Sequence, residues 1–207
     1  MTKYPKYRAK LLKMLQEDQQ DIREHSKLYK HAPGASSTIV SRKDLAKRCM
    51  RRAEEMLEIL KEIKEPTISN VGVDGSQAIS VLALHSRLSI MQKVLRIFQN
   101  SYHKNPQSVY SEAIPSLLDR VLILQRKKQK FGTQWLVSRD GSFFLYPVED
   151  FKGMNELRKE HGLSNARKPR DLTYGIPKGP LPPKAQESDQ RTPTQEEYDN
   201  YATEFID

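Results

Sequence analysis

Residues 72–85 read Gly-Val-Asp-Gly-Ser-Gln-Ala-Ile-Ser-Val-Leu-Ala-Leu-His, and the rest of the fold is organised around this stretch. Its start matches the Asp-x-x-Gln form of a capping box, in which Asp74 caps a helix whose third residue is Gln77. Apolar residues then follow at helical spacing. The stretch therefore predicts a core helix that extends to about Ser86.

Two polar side chains share one face of that helix. Gln77, Val81 and His85 recur every four residues, so an amide and an imidazole point the same way from an otherwise apolar segment. Polar groups in such a place are either satisfied core residues or parts of a site. The helix is therefore also predicted to form one wall of a candidate site.

Amphipathic patterns on both sides of this stretch predict further helices. They extend over about 4–29 and 41–64, and from residue 111 or 113 to about 124, with loops at 31–38 and 100–109. The amphipathic pattern at 88–99 either continues the opening helix or follows a break at 87–89. Pro115 fits the first turn of the last of these helices, where the N–H that proline lacks is not needed. A short helix is predicted at 150–161, with Gly162 as its stop.

One segment carries a clear β signal. Residues 131–137 and 142–148 are rich in aromatic and β-branched side chains, and Arg139-Asp140-Gly141 joins them, which predicts a hairpin with an Asp-Gly turn. A lone hairpin is only marginally stable, so it should pack on the helices. The predicted fold class is mainly α, a helical bundle-like domain with one small β-hairpin and an extended Pro-rich C-terminal tail.

The composition changes after residue 163, the predicted end of a single helical domain that starts at residue 1. Residues 164–192 contain five prolines and read as a linker or wrapped extension. Residues 193–207 predict a short acidic helix with Tyr198, Tyr201 and Phe205 near one face. Docking of this helix on its own domain is favoured, because aromatic side chains are costly to leave in water. Binding of a partner, or covering of the site, is the alternative.

The chain has 207 residues, with 35 basic and 26 acidic side chains and a net charge of +9. Such a charge suits nucleic acid, an anionic surface or solubility alone. Basic residues cluster at 42–52 and 126–130, and a solvated helix surface is the favoured interpretation of both clusters. Nucleic-acid binding through the basic helix is therefore one alternative function. A non-enzymatic interaction module that uses this helix or the acidic aromatic tail is another.

Several classes of protein are disfavoured by what the sequence lacks. The single cysteine, Cys49, allows neither an intrachain disulfide nor a cysteine-based zinc site. The N-terminus lacks a signal peptide, and no run of about 18 apolar residues could cross a membrane. The expectation is a soluble, cytoplasmic protein without membrane contact. The histidines lack the close spacing of metal ligands, so no metal site is predicted, and no cofactor is identified.

Five short stretches are individually weak but specific in their order and spacing. They are Glu17-Asp18-Gln19 with Arg23, Val71-Gly72-x-Asp74-Gly75-x-Gln77-Ala78 with His85, Leu118-Asp119-Arg120-Val121, Phe131-Gly132-Thr133-Gln134 and Tyr146-Pro147-Val148-Glu149-Asp150. In this combination the chain resembles, over about Tyr4 to Leu163, an uncharacterised bacterial family, domain-of-unknown-function family 6624. Lys64-Glu65-Pro66 stands where members usually carry Gly-Trp-Pro, and the Pro-rich extension departs from their short ending. The resemblance implies no established activity.

The polar residues of these stretches predict a pocket for a small polar molecule, anions included. His85 offers an acid-base group and Asp119 a carboxylate to orient it, so these two are the catalytic candidates. The candidate ligand-binding residues are Gln77, Arg120, Gln134, Arg23 and Asp18. The hydroxyls of Ser76, Ser80 and Thr133 are candidate nucleophiles without a surrounding motif. The structural alternative, a satisfied core histidine and an Asp-Arg bridge, stays open.

Overall fold

The computed structural model describes residues 2–30, 42–137, 142–168 and 183–202. Within these residues the chain is mainly helical, with seven α-helices and one two-stranded antiparallel sheet. This confirms the predicted mainly α class with a small hairpin. The hairpin turn at 138–141, most of the Pro-rich segment and residues 203–207 lie outside the described residues.

The helices are α1 (Pro5–Lys30), α2 (Arg42–Ile63), α3 (Ile68–Leu84), α4 (Leu88–Lys104), α5 (Ala113–Leu124), α6 (Met154–Glu160) and α7 (Gln195–Ala202). Most of them lie where the amphipathic patterns predict. The helix α4 continues past the predicted end at Gln99, because no proline interrupts it before Pro106 and Ser101 extends its buried face. In the described part of the chain, none of the helices is both long enough and apolar enough to span a bilayer.

The helix α3 begins earlier than the capping pattern predicts. Thr67 is its N-cap, and the threonine hydroxyl accepts a hydrogen bond from the Asn70 N–H at 3.3 Å. Gly72 then interrupts the helical path with φ of 80°, a left-handed conformation that favours glycine. Asp74 pairs with Arg8 of α1, whose Nε donates to Oδ1 at 2.8 Å. The predicted helix start is therefore a break inside a longer helix.

The helix α3 lies at the centre of the fold, in contact with α1, α2, α4 and α5. The main core is formed by buried apolar side chains from all five helices, among them Leu11, Met56, Ile79, Phe98 and Leu117. Because α1 and α2 both pack on α3, polar side chains from the middle of α1 and α2 can meet the C-terminal end of α3. This arrangement positions the candidate site.

The hairpin is shorter than predicted but packs as expected. Strand β1 (Trp135–Val137) pairs antiparallel with β2 (Phe143–Leu145), and Trp135 lies opposite Leu145. Leu136 and Phe144 belong to the main helical core. Two strands of three residues each bury little apolar surface by themselves, so packing on the helices stabilises the hairpin.

The described part of the tail returns to the domain. Gln190 forms a bridge beside Leu145, and its side-chain oxygen accepts the Val148 N–H at 2.8 Å. The tail therefore lies along β2 and pairs with part of the hairpin's edge, which would otherwise expose backbone donors and acceptors.

The last helix, α7, docks on its own domain through Tyr198. This side chain is buried, and its hydroxyl lies 3.1 Å from the Ile123 carbonyl oxygen and 2.9 Å from that of Leu124. Both carbonyls belong to the last turn of α5, which has no intrahelical donors for them. The favoured docking interpretation holds for this residue, whereas the Tyr201 side chain and Phe205 lie outside the description.

Candidate functional site

The imidazole of His85 meets a carboxylate from α1. His85 Nδ1 lies 2.7 Å from Asp18 Oδ2, although the two residues are 67 positions apart. Asp18 is 1% exposed, and the His85 side chain, at the C-cap of α3, is 9% exposed. The predicted carboxylate partner of His85 is Asp119, and the structure corrects this pairing, because the carboxylate that contacts His85 is that of Asp18.

Two arginines of α2 extend this contact into a chain of alternating charges. Arg52 Nη2 lies 3.3 Å from Asp18 Oδ1. Arg52 Nη1 donates to Asp21 Oδ2 at 2.6 Å, and Arg48 Nη1 donates to Asp21 Oδ1 at 2.9 Å. We refer to Asp18, Asp21, Arg48, Arg52 and His85 as the charge cluster. It runs from the half-exposed Arg48 to the buried Asp18 and on to His85.

The surrounding charges keep the carboxylate of Asp18 ionised. Burial acts to raise the pKa of Asp18, but the charge and hydrogen bond of His85 and the charge of Arg52 outweigh it, so the pKa of Asp18 is lowered. Asp18 is therefore ionised near neutral pH and can only accept, which makes His85 Nδ1 the donor. With Nδ1 as the donor, Nε2 is the ring atom that can accept a proton whenever the imidazole is neutral, which is the geometry that a general base requires.

Cys49 lies beside the charge cluster but does not have the properties of a nucleophile. Its Sγ is 3.5 Å from Asp18 Oδ1 and 3.6 Å from Arg52 Nη2. Burial, reinforced by the negative charge of Asp18, raises the pKa of the thiol to about 12. Nucleophilic attack requires the thiolate, which is essentially absent at neutral pH under these conditions.

The three hydroxyls proposed as nucleophiles all make structural hydrogen bonds. Ser76 Oγ accepts the Tyr110 N–H at 3.1 Å, and Ser80 Oγ donates to a backbone carbonyl one turn earlier at 2.8 Å. Thr133 Oγ1 donates to Asp119 Oδ2 at 2.9 Å. The bonds of Ser76 and Thr133 join separate segments of the chain, and that of Ser80 lies within α3. The chemistry available at the charge cluster is therefore proton transfer and binding rather than covalent catalysis by these groups.

Asp119 organises a loop. Its carboxylate accepts the N–H groups of Lys130 at 2.8 Å, Phe131 at 3.1 Å and Thr133 at 3.0 Å, in addition to the Thr133 hydroxyl. Burial raises the pKa of Asp119, and these donors offset that effect only in part. We refer to residues 129–134, which lead towards β1, as the Asp119 loop. The contacts of Asp119 explain its burial without a role in proton transfer.

Two glutamines complete the Asp119 loop. Gln129, fully buried, donates through Nε2 to the carbonyls of Gln134 at 3.0 Å and Tyr146 at 2.7 Å, and its Oε1 accepts the Gln134 N–H at 2.9 Å. Gln134 Nε2 in turn donates to Thr133 Oγ1 at 3.0 Å. The predicted ligand-binding amide of Gln134 therefore takes part in loop structure.

The other predicted site residues lie elsewhere. Gln77 is exposed, because the buried face of α3 is formed by its small and apolar residues and Gln77 projects away from it. Arg23 is also exposed, since five residues beyond Asp18 an α-helix has turned by about 140°. Arg120 is buried on α5. Of the predicted set, the structure brings Asp18 and His85 into direct contact.

The sequence prediction misses Asp21, Arg48 and Arg52 as members of the site. A signal for two of them exists in the helical stripes. Leu11, Met14, Asp18 and Asp21 follow one another at spacings of three and four, and so do Cys49, Arg52 and Met56. An ionisable residue at a stripe position is predicted to point inward. Asp21 and Arg52 are buried accordingly, whereas Arg48 lies at the edge.

The other basic residues of the predicted clusters at 42–52 and 126–130 are either exposed or in contact with nearby side chains. In the first half of α2, Lys43, Lys47 and Arg51 are exposed. Arg126 stacks over the Tyr198 ring at 4.0 Å, and Lys130 lies 3.8 Å from Glu149. The nucleic-acid and interaction-module hypotheses stay predictions.

Fold and site together define a mainly helical protein with a buried Asp-His pair inside a network of ion pairs. No protein-family model, curated protein or solved structure matches the chain. The resemblance to family 6624 therefore stays a prediction. Across residues 2–30, 42–137, 142–168 and 183–202, no group of three histidine, cysteine or acidic side chains could hold a metal ion.

Proposed function

We propose that this protein binds a small polar molecule, anions included, and exchanges a proton with it at Nε2 of His85. The observation that carries the proposal is the 2.7 Å contact between His85 Nδ1 and the buried carboxylate of Asp18. A carboxylate on Nδ1 fixes the ring and its tautomer, which is what a general base requires. The reaction class is proton abstraction from the bound molecule or activation of a water.

The charge cluster contributes little net stability for a buried feature, which disfavours a purely structural role. Replacement of buried ion pairs by apolar side chains of similar size is often neutral or stabilising, because desolvation offsets most of the attraction. Asp18 and Arg52 nevertheless lie almost fully buried at the junction of three helices. Ionisable groups concentrated in this way are typical of functional sites.

The preference for a polar ligand follows from the donors of α2. Arg52 Nε is buried and has no hydrogen-bond acceptor among the described residues. A ligand oxygen or a water would satisfy such a donor. Arg48, at the exposed end of the cluster, adds a cation that a carboxylate or phosphate group can approach from solvent. Both Asp18 and His85 also belong to the stretches that resemble family 6624.

The test compares ligand binding in matched variants. Thermal unfolding of the full chain is measured with inorganic phosphate, small carboxylates and phosphate monoesters, and compounds that stabilise it are then followed by NMR for conversion. His85→Gln and Asp18→Asn should weaken binding of such a compound at least about tenfold, since one lost charged hydrogen bond is worth about 1.5 to 3 kcal/mol. They should also abolish any conversion.

The control is His103→Gln, which removes an exposed histidine of α4 outside the charge cluster. It should bind and convert the same compounds as the unchanged protein. Equal affinity and equal conversion in folded His85→Gln would overturn the proposal.

A further inference from the structure

We propose that four lysines at the start of α1 form a surface that binds the phosphate backbone of a duplex nucleic acid, without regard to its base sequence. All four are exposed, and we refer to them as the lysine ridge: Lys3, Lys6, Lys10 and Lys13. They lie outside the charge cluster and outside the two basic stretches at 42–52 and 126–130. The inference therefore does not depend on the proposed function.

The lysine ridge lies in a segment with charge of one sign. Residues 1–16 contain the four ridge lysines and Arg8 but no acidic residue, so they supply five of the nine net positive charges of the chain. Elsewhere basic and acidic side chains are interspersed, as in α2. An exposed surface with this excess of positive charge attracts polyanions.

The charges at the start of α1 oppose its helix dipole. The first turn of a helix favours acidic side chains and the last turn favours basic ones, as α2 shows with Asp44 and Lys61. The first turn of α1 has no acidic residue and holds Lys6 and Arg8 instead. Arg8 is compensated by Asp74, whereas Lys6 has no acidic partner among the described residues. Since Lys6 does not stabilise the fold, its positive charge is better explained by binding.

The helix holds the lysines in one line. Lys6, Lys10 and Lys13 are spaced by four and three residues, so they share one face and span about 10 Å along the helix axis. The inward face carries Leu11 and Met14, which are buried in the main core. Packing of that face fixes the direction in which the lysines point.

The chain that precedes α1 is also held on the domain. The N–H of Lys3 donates to the Ser69 carbonyl, and that of Tyr4 donates to the Asn70 carbonyl, both at 2.9 Å. Ser69 and Asn70 belong to the start of α3, the central helix. The lysine ridge therefore needs little ordering of the backbone when it binds, which favours affinity.

Two ridge lysines pair with acidic side chains that a phosphate can replace. Lys10 Nζ lies 2.6 Å from Glu55 Oε1, and Lys13 Nζ lies 4.0 Å from Glu17 Oε1. Each of these side chains is at least 43% exposed. Exposed ion pairs contribute little stability and are screened by salt, so their exchange for phosphate contacts is easy.

The surroundings of the lysine ridge favour a duplex over a membrane or a single strand. A helix that lies in a membrane surface inserts its apolar face, but that face of α1 is buried in the protein. Single-strand binding proteins stack bases on aromatic rings, but Tyr4 and Tyr7 are partly buried and pack on the main core.

The charge spacing of a duplex suits the ridge. A duplex carries one negative charge per about 1.7 Å of its axis, so several phosphates come within reach of a ridge of about 10 Å. Lysine acts as a point charge without the planar fork with which arginine recognises guanine. Contacts of this kind position a protein on the backbone and carry no sequence information.

The test compares two variants of equal net charge. Binding of a short labelled DNA duplex is followed by fluorescence anisotropy at increasing salt concentration. The ridge variant carries four substitutions, Lys3→Gln, Lys6→Gln, Lys10→Gln and Lys13→Gln. The control variant changes four exposed lysines elsewhere, two of them in the basic stretch of α2: Lys43→Gln, Lys47→Gln, Lys61→Gln and Lys93→Gln.

The unchanged protein should bind the duplex with an affinity that falls steeply with salt. The ridge variant should bind at least about tenfold more weakly at low salt, and its plot of log affinity against log salt should be shallower by about 3, because nearly one counterion is released per phosphate contact. The control variant should stay within about threefold of the unchanged protein, because its lysines do not share one surface.

Two further measurements separate binding from structure. Thermal unfolding of the ridge variant should occur at an unchanged or higher temperature, because Lys6 opposes the helix dipole and the exposed pairs contribute little. Arginine at the same four positions keeps the charge and should keep the affinity within about twofold. If the ridge variant does not fold, Lys6→Gln with Lys13→Gln decides, and its slope should be shallower by about 2.

Equal weakening in the ridge and control variants would overturn the inference, since net charge alone would then explain binding. An unchanged affinity and slope in the folded ridge variants would overturn it too, as would failure of the unchanged protein to bind the duplex at low salt. Ridge-dependent binding to vesicles that contain an anionic phospholipid, without binding to the duplex, would assign the surface to a membrane and also overturn it.

Discussion

Asp18 and Asp119 are buried equally, at 1% and 0% exposure, yet their surroundings differ in kind. Asp18 is surrounded by ionisable side chains from two other helices, His85 and Arg52. Asp119 is surrounded by backbone N–H groups and one hydroxyl from a loop 11 to 14 residues farther along the chain. Side-chain partners can gain or lose protons, whereas backbone amides cannot. The first environment allows chemistry and the second specifies structure.

The two carboxylates should also differ in how much each contributes to the stability of the fold. The bonds to Asp119 satisfy donors that no other group could reach in a buried loop, so their loss leaves several unsatisfied N–H groups. In the charge cluster, the free-energy cost of removing the charges from water offsets much of their electrostatic attraction. We therefore expect stability to depend more on Asp119 and proton chemistry more on Asp18.

The largest effect is expected for Asp119→Ala. The substitution strands the N–H groups of the Asp119 loop and should lower the free energy of unfolding by about 4 kcal/mol, since charge-assisted bonds to several donors are lost at once. Urea denaturation followed by circular dichroism measures the change. A loss below about 1 kcal/mol would contradict the structural role assigned to this carboxylate.

A smaller loss of stability, together with a loss of ligand binding, is expected for Asp18→Asn. The amide keeps the shape but removes one charge of an ion pair with Arg52, which should lower the free energy of unfolding by about 2 kcal/mol. A compound that stabilises the unchanged protein should bind Asp18→Asn more weakly, whereas Asp119→Asn should keep its affinity as long as it folds. Equal loss of affinity in both variants would remove the distinction between the two carboxylates.

The helices and the charge cluster differ in how far sequence predicts them. Amphipathic stripes predict α1, α2 and α5 because periodic burial is a local property of a helix. The partner of His85 is not local: it depends on α1 lying against the end of α3, which no spacing within either helix specifies. Both Asp18 and Asp119 are carboxylates on predicted helices, and only the tertiary arrangement distinguishes them.

At the start of α3, too, a local sequence pattern fails to predict a partner from another helix. The Asp74 pattern predicts a cap, but the carboxylate pairs with Arg8 from another helix. A local capping bond is worth about 1 kcal/mol, so a charged tertiary partner at 2.8 Å can replace it. Gly72, which the capping pattern does not single out, is instead the residue that breaks the helix.

Acid should reveal the ionised state of Asp18. Because its pKa is lower in the folded chain than in the unfolded chain, its contribution to stability is present above about pH 4 and is lost as the pH falls through the lowered folded value. The difference in unfolding free energy between the unchanged protein and Asp18→Asn should therefore shrink as the pH falls below 4, and denaturation at several pH values measures it. A difference that is constant or grows in acid would contradict an ionised Asp18. Glu197, whose pKa the Arg191 hydrogen bond lowers to about 2, affects both proteins alike.

The smallest predicted effect concerns a left-handed backbone conformation that occurs both at a glycine and at a lysine. The Asp119 loop contains Gly132 with φ of 62°, and the turn from α2 into α3 contains Lys64 with φ of 65°. A side chain in this left-handed conformation costs about 1 kcal/mol, which glycine avoids. Lys64→Gly should therefore raise the free energy of unfolding by about 0.5 to 1 kcal/mol, after the greater freedom of glycine in the unfolded chain is subtracted.

The control is Lys61→Gly, three residues earlier within α2, where helical geometry gives glycine no advantage and the loss should be about 1 kcal/mol. Opposite signs for the two substitutions, measured by urea denaturation, would show that the backbone conformation at Lys64 is the cause rather than loss of a lysine. Destabilisation of equal size by both substitutions would contradict it.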